Sequence, residues 1–596
     1  MCGIAGILTR EVHGDEARRA ESMQRALRHR GPDDQGLWQS PTQHATFAHT
    51  RLSVLDLTSA GRQPLSTADG RYTITFNGEI YNFAELRRNL QGRGVAFRTR
   101  TDTEVILHAY AAFGDACVRQ LRGMFAFAIW DERERTCFLA RDPFGIKPLY
   151  YYAHGQRLSF ASEVRALTKS GEVPLDPDPQ AIYEYLRAGS FQDPRTLLRA
   201  VRNLDAGHVM MWDGDVRRSR YWEIAFADTE ASASAAVITH EALSDSVRHH
   251  FVSDVPVGMF LSGGIDSTCL VTLAAEAGID KLRTFTLSVD ASADDEGGRA
   301  RSTAEHFGAC HEECRVDAAA SRQLFTAYLS AMDQPSIDGL NTFAVSRFAA
   351  EHGMKVMLSG IGADELFGGY PSFSDVPRLT RWRRWLGEAG RMHAAAARCL
   401  ATSADPRYRR LADLLVQPPS LSASYGVYRG IFSQGEAREL VQRYAATTDQ
   451  HFEDVLIDGA DPTPADTVSR LELSRYARNQ LLRDADVMSM ACGVELRTPY
   501  LDTVVVDAAS RIPAAQRLRY GKKMLVESVA GIPDGIIHRR KRCFQFPFER
   551  WLDGEWRRTF AALEHVGSVP TTTWYRKWCV LVLEHSLRSV AKCEQT

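Results

Sequence analysis

Nowhere does this chain of 596 residues approach the roughly 18 uninterrupted apolar residues of a membrane-spanning helix, and no basic segment followed by a long apolar run opens it. A cytoplasmic, reduced protein is therefore expected. An excess of one charge is also missing: Lys+Arg 72 against Asp+Glu 74 leaves a formal net charge of -2. That balance gives no broad attraction for nucleic acid or an anionic membrane, so neither is expected as a partner and small-molecule chemistry is favoured. The 11 cysteines lack regular spacing. The nearest pair, Cys310 and Cys314, has His306 and His311 beside it but no second cluster to complete four zinc ligands, so most cysteines read as small buried apolar residues. Internal repeats and low-complexity tracts are absent as well.

What is present is ordinary globular composition, 44% hydrophobic and 24% charged, in a chain too long for one hydrophobic core. Two or more domains follow. Over the first two hundred or so residues, short β-branched and aromatic runs alternate with Gly, Asn and Asp, as in Tyr72 to Phe76 before Asn77-Gly78 and Met124 to Trp130 before Asp131. This pattern predicts antiparallel strands and tight turns with a few helices. From Ala225 to Ala236 the composition shifts to Ala, Ser and Thr without apolar periodicity, which places a boundary between a domain over 1–225 and another over 237–596. Beyond it, strands predicted at Val255 to Leu261, Arg283 to Val289 and Lys355 to Leu358 alternate with helices at Thr268 to Ala277 and Arg299 to Phe307. That alternation argues for a helix-covered parallel sheet, and the Ala, Leu and Arg spacing after about 376 for a largely helical C-terminal part.

Cys2 carries chemistry because removal of Met1 leaves a thiol and a free α-amine on one residue. The amine titrates near pH 8 and can serve as general base for its own side chain. A second glycine-rich feature, Ser262-Gly263-Gly264-Ile265-Asp266-Ser267, lies between an apolar strand and a helix, where backbone N–H groups and the helix N-terminus suit phosphate oxygens. No Gly-Lys-Ser/Thr follows, so it is not the Walker pattern. It is similar instead to the pyrophosphate loop of enzymes that split ATP between the α and β phosphates, which points to adenylation.

Cys2-Gly3-Ile4-Ala5-Gly6, Arg28-His29-Arg30-Gly31-Pro32-Asp33, His49-Thr50-Arg51-Leu52-Ser53, Phe76-Asn77-Gly78-Glu79-Ile80-Tyr81-Asn82 and Thr101-Asp102-Thr103-Glu104 together, and in this order, resemble the glutaminase domain of asparagine synthetase-type amidotransferases. The resemblance continues through Leu358 to Tyr370, Gln480 to Asp486, Val494 to Asp502 and Arg539 to Phe544, so it spans residue 2 to about 555. It implies a four-layer αββα N-terminal-nucleophile domain followed by an α/β parallel-sheet ATP-pyrophosphatase domain. It implies Cys2 as nucleophile, the Asn77 side chain and Gly78 N–H as oxyanion hole, Arg51 on the glutamine α-carboxylate, and Asp102 with the Glu79 backbone on its α-ammonium. For ATP it implies Ser262, Gly263, Gly264, Asp266, Ser267, Leu287, Ser359, Gly360 and Lys541, and for Mg²⁺ Asp266 and Asp364.

Plainer readings stand beside these. Asn77-Gly78 also reads as a hairpin turn, Arg51 and Asp102 as solvated charges, the two aspartates as helix caps, and Arg30 and Asp33 as scaffold. The implied substrates are glutamine, ATP and a carboxylate, and a homodimer is left open. Asparagine-forming members usually carry glutamate where this chain has Ile361, and Asp333 to Thr342 departs from the usual aspartate-binding segment. An apolar side chain transfers no proton, so either another residue does that work and the acceptor is aspartate, or the acceptor is another carboxylate. The competing reading is a synthetase resembling β-lactam synthetases or macrolactam cyclases, which attack with an amine already on the substrate; those relatives tend to lose the nucleophilic cysteine.

Overall fold

The computed structural model describes residues 2–230, 233–289, 296–387, 390–445, 451–457, 461–538, 546–560, 563 and 565–593. Residues up to 220 form two six-stranded antiparallel sheets stacked face to face. Period-two alternation decides which way each side chain points. On the strand Cys2–Thr9, Ile4 and Leu8 enter the core between the sheets with Phe47, Trp130 and Leu139. Ala5 and Ile7 face the other way, onto the helix Glu16–Ala26. On Gly123–Asp131 the same rule sends Ala126, Ala128 and Trp130 inward, while Phe125, Phe127 and Ile129 meet the helices Phe83–Gly92 and Asp102–Phe113. The result is the helix-sheet-sheet-helix order expected from the resemblance.

The third sheet is five-stranded and parallel, in the order Cys310–Val316, Arg283–Val289, Val257–Phe260, Val356–Leu358, Glu495–Arg497. Strands added after Val257–Phe260 go first to one side and then to the other. The switch point thus lies between Val257–Phe260 and Val356–Leu358, where open parallel sheets leave a crevice at the carboxyl ends of their strands. Helices Ile265–Glu276 and Glu296–His306 match the expected alternation, each starting three residues before the expected position. After Phe367 the described chain is mainly helical, including a π-helical stretch at Glu472–Leu482. Among the described residues no helix is long and apolar enough to cross a membrane, and no group of metal-ligating side chains large enough for a zinc site occurs. Cys310 and Cys314 lie four residues apart on one strand, about 13 Å by strand rise, too far to share an ion.

Candidate functional site

Two constellations form. The first sits at the start of Cys2–Thr9, where Cys2 pairs in register with Arg51. Cys2 is only 8% exposed and is fixed at both backbone ends. Its N–H donates to Asn77 Oδ1 at 3.0 Å, and its carbonyl accepts from Arg30 Nε at 3.2 Å. Burial pushes the thiol pKa up, opposed in part by a hydrogen bond to the Leu52 backbone and by the Arg51 charge.

Asn77 and Gly78 are not a turn. They lie inside the nine-residue strand Tyr72–Ile80, opposite Ala126 and Phe125 on Gly123–Asp131, because the apolar alternation continues through both and the cross-strand ladder is unbroken. Gly78 is required by proximity: a Cβ there would stand 2.1 Å from the Met124 carbonyl oxygen. Asn77 uses its Oδ1 on Cys2, and its Nδ2 is buried with no hydrogen-bond partner among the described residues. A buried amide donor left unused costs about 1–3 kcal/mol, so its position beside the thiol needs a reason.

Arg51 is buried, and three of its five donors go to the carbonyls of Thr58, Leu55 and Asp56. This fixes the guanidinium on the loop backbone from Leu55 to Thr58, while the Arg51 backbone pairs with Cys2. The reading of Arg51 and Asp102 as solvated surface charges therefore fails, since Asp102 is buried too. Asp102 Oδ2 accepts from Ile80 N–H at 3.0 Å, yet burial lifts its carboxyl to a pKa of about 6. Burial raises Glu79 as well, against the opposing pull of Arg497, whose Nη2 lies 3.2 Å from Glu79 Oε2.

Arg497 belongs to the last strand of the parallel sheet, so the second site begins at the same residue. Its carbonyl accepts from Ser359 N–H at 2.9 Å. Ser359 and Gly360 leave Val356–Leu358 on one side of the switch point, and Ser262 to Gly264 leave Val257–Phe260 on the other. Ser262 and Ser267 hydroxyls are 3.2 Å apart across the loop, and Gly263 takes φ +66°, a conformation glycine adopts at little cost. Leu287 lies on the adjacent strand, 8% exposed. Asp266 and Asp364 are brought together on one cation, Lys522 Nζ, which ion-pairs with both. Two carboxylates converging on one buried positive charge suit Mg²⁺, a hard cation that takes few protein oxygens and completes its shell with phosphate and water. Lys541 lies outside the described residues.

Sequence reasoning missed three residues here. Lys522, at φ +54°, follows no recognisable motif and is signalled only by its strained backbone. Arg497 sat in a quoted motif with no role. Arg30, read as scaffold, ties the Cys2 carbonyl to Asp486 of the C-terminal half at 2.8 Å while also holding Glu163 at 2.9 Å. A loop contact runs parallel to it: Asp254, three residues before Val257–Phe260, receives the Asp56 N–H at 2.8 Å on the loop that grips Arg51.

A cysteine-bearing antiparallel sandwich joined to a phosphate-loop parallel sheet defines a glutamine amidotransferase fused to an ATP-dependent synthetase. Residues 1–222 match the glutamine amidotransferase domain family and 239–578 the asparagine synthase family. The chain is 33% identical over 573 residues to asparagine synthetase [glutamine-hydrolyzing] 1 of Bacillus subtilis, covering 93% of this chain and 88% of that protein. It is 32% identical to a putative asparagine synthetase [glutamine-hydrolyzing] of Mycobacterium bovis over 93% and 88%, and 27% identical to the amidase chry2 of Gibberella zeae over 93% and 90%. The chain belongs to the asparagine synthetase family, and it is an ATP-dependent amide ligase that uses glutamine as nitrogen donor.

Proposed function

We propose that residues 1–225 hydrolyse glutamine at Cys2 and that residues 237–596 adenylate a carboxylate, which the released ammonia then attacks. The observation that carries this reading is the unpartnered Asn77 Nδ2 beside a buried cysteine. A tetrahedral intermediate on Cys2 places its oxyanion where a preorganised amide donor and the Gly78 N–H lower the barrier without reorganising. Cys2 is the nucleophile, its own α-amine after Met1 removal the base, and Arg51 the partner of the glutamine α-carboxylate. Asp102, with the Glu79 backbone, takes the α-ammonium.

In the synthetase half, Ser262, Gly263, Gly264, Ser267, Ser359 and Gly360 cradle the phosphates, Leu287 lines the base or ribose, and Lys541 meets the leaving pyrophosphate. Asp266 and Asp364 would hold Mg²⁺, which when bound neutralises the triphosphate and orients it for attack at the α phosphorus. The carboxylate oxygen attacks that phosphorus and pyrophosphate leaves. Ammonia then attacks the acyl carbon, expelling AMP and losing a proton.

The acceptor is aspartate or another small carboxylate. Relatives named asparagine synthetases span nearly the whole chain, which supports aspartate; Ile361 and the segment around Asp338 favour another acid. In that segment, burial raises the pKa of Asp484, with the Asp338 charge adding to it, and the Ser336 hydroxyl donates to Asp484 at 2.6 Å. A panel of carboxylates supplied with glutamine and Mg·ATP decides: one of them is expected to raise pyrophosphate release above the acceptor-free rate by at least about tenfold. No response from any, or ADP and phosphate as products, overturns the adenylation reading. Ile361→Glu is expected to lower turnover of the true acceptor by about tenfold or more, through repulsion and desolvation beside phosphate.

Asp102 sets a pH dependence. With its carboxyl titrating at about 6, it is charged above that pH and neutral below, so its hold on the glutamine ammonium is present at pH 7 and lost as pH falls through 6. KM for glutamine is expected to rise by about tenfold per unit below pH 6, while ammonia-dependent synthesis lacks that limb. Asp102→Asn should give a high, pH-independent KM; an unchanged profile in that variant would remove Asp102 from the clamp.

A further inference from the structure

The balanced net charge conceals a segregated one. Helix Ser372–Trp385 leaves the nucleotide loop just after Tyr370 and ends about 20 Å away by helix rise. There it meets an antiparallel pair, Gly390–Ala401 and Pro406–Val416, through a small core of Ala397, Ala412 and Leu415 with Leu386 and Leu400. Arg383 locks the junction, its Nε donating to the Leu414 carbonyl at 3.1 Å and its Nη1 to that of Gly387. Arg384 Nε reaches the Pro419 carbonyl at 3.3 Å. The end of the first helix, the start of the second and the end of the third are thereby gathered at one tip.

That tip presents large apolar side chains to solvent. Trp385 is 82% exposed, Met392 73%, Val416 56% and Trp382 38%. Arg381, Arg384 and Arg391 surround them, all exposed, and none of the three has a carboxylate partner among the described residues; Glu388, in the connecting turn, lies outside those residues. Neither of the two sites described above uses any of these side chains.

We propose that this tip is a peripheral membrane-binding surface that seats on anionic lipid headgroups. The arginines supply charge complementary to acidic lipids, whose surface attracts basic side chains within a Debye length. Trp is favoured at the headgroup level, and Met inserts without needing a shaped partner. A protein partner would have to offer a pocket matched to a side chain that projects as far as Trp385 does, whereas a fluid interface accommodates it. The helix Ser372–Trp385 then acts as a spacer, holding the ATP site about 20 Å from the lipid surface.

Co-sedimentation of the full chain with vesicles tests this. In about 0.1 M salt, vesicles holding about 30% phosphatidylglycerol should retain at least about tenfold more protein than phosphatidylcholine alone, and about 0.5 M salt should release it. The triple variant R381E/R384E/R391E should abolish retention. The double variant W385S/M392S, with unchanged charge, should lose about fivefold or more, since its apolar anchors are gone. Both variants should keep wild-type circular dichroism and ammonia-dependent synthesis. Equal retention on neutral vesicles, none on either, or full retention of W385S/M392S overturns the proposal. So does single-stranded RNA that binds the tip while anionic vesicles do not.

Discussion

Cys2→Ala is expected to lower glutamine-dependent amide formation by roughly a thousandfold or more, while ammonia-dependent formation stays within about threefold of wild type. The asymmetry follows from where the atoms lie. Alanine removes only Sγ; the Cys2 N–H still reaches Asn77 Oδ1, and the carbonyl still receives Arg30. The ATP constellation is built from other strands, so the adenylating half keeps its geometry. Paired assays with glutamine and with ammonium, on protein shown folded by circular dichroism, measure the split. A glutamine analogue carrying an electrophile should label Cys2 and spare Cys310 and Cys399, although both are exposed. Equal loss of both activities, or analogue labelling at the exposed cysteines, would remove Cys2 from its role.

The second large effect concerns the carboxylate pair. Asp266→Asn and Asp364→Asn should each cut synthesis by about a hundredfold and raise the Mg²⁺ requirement, with glutaminase turnover kept within about threefold. Lys522→Met separates charge balance from metal binding. Without the ammonium, Asp266 and Asp364 confront each other while largely desolvated, and breaking one side of such a buried pairing costs about 3–5 kcal/mol. Lower thermal stability in Lys522→Met, recovered in part by adding Asp364→Asn, is the expected result. Lys522→Met with unchanged stability and synthesis would mean that the lysine does not hold the pair.

Much of this was legible in the sequence because period-two and strand-helix patterns fix which face is buried. The strand Arg283–Val289 falls on its expected residues, and the boundary strands and helices shift by only a few. The six residues proposed for the glutaminase site come together because Cys2 and Arg51 pair at the ends of adjacent strands, Asn77 to Glu79 lie on the strand Tyr72–Ile80 that meets Cys2, and Asp102 opens a helix bonded to Ile80. Asn77-Gly78 misled because a turn dipeptide was weighed locally, whereas the ladder to Gly123–Asp131 and the close approach of Met124 decide its conformation. Lys522 and Arg497 were opaque for another reason. Their importance comes from partners 158 to 418 residues away in the chain, Asp266 and Asp364 for one and Glu79 for the other, and such pairings appear only when the sheet order is known. The link through Arg497, from Glu79 on the glutamine side to Ser359 on the ATP side, is likewise a property of the assembled fold.

Product balance separates amide synthesis by adenylation from every other outcome. Wild-type enzyme given glutamine, Mg·ATP and the acceptor identified by the carboxylate panel should form glutamate, AMP, pyrophosphate and amide in a ratio close to about 1:1:1:1, with nitrogen from amide-labelled glutamine appearing in the product amide. ADP and phosphate in place of AMP and pyrophosphate, or product amide that carries no label from glutamine, would contradict it.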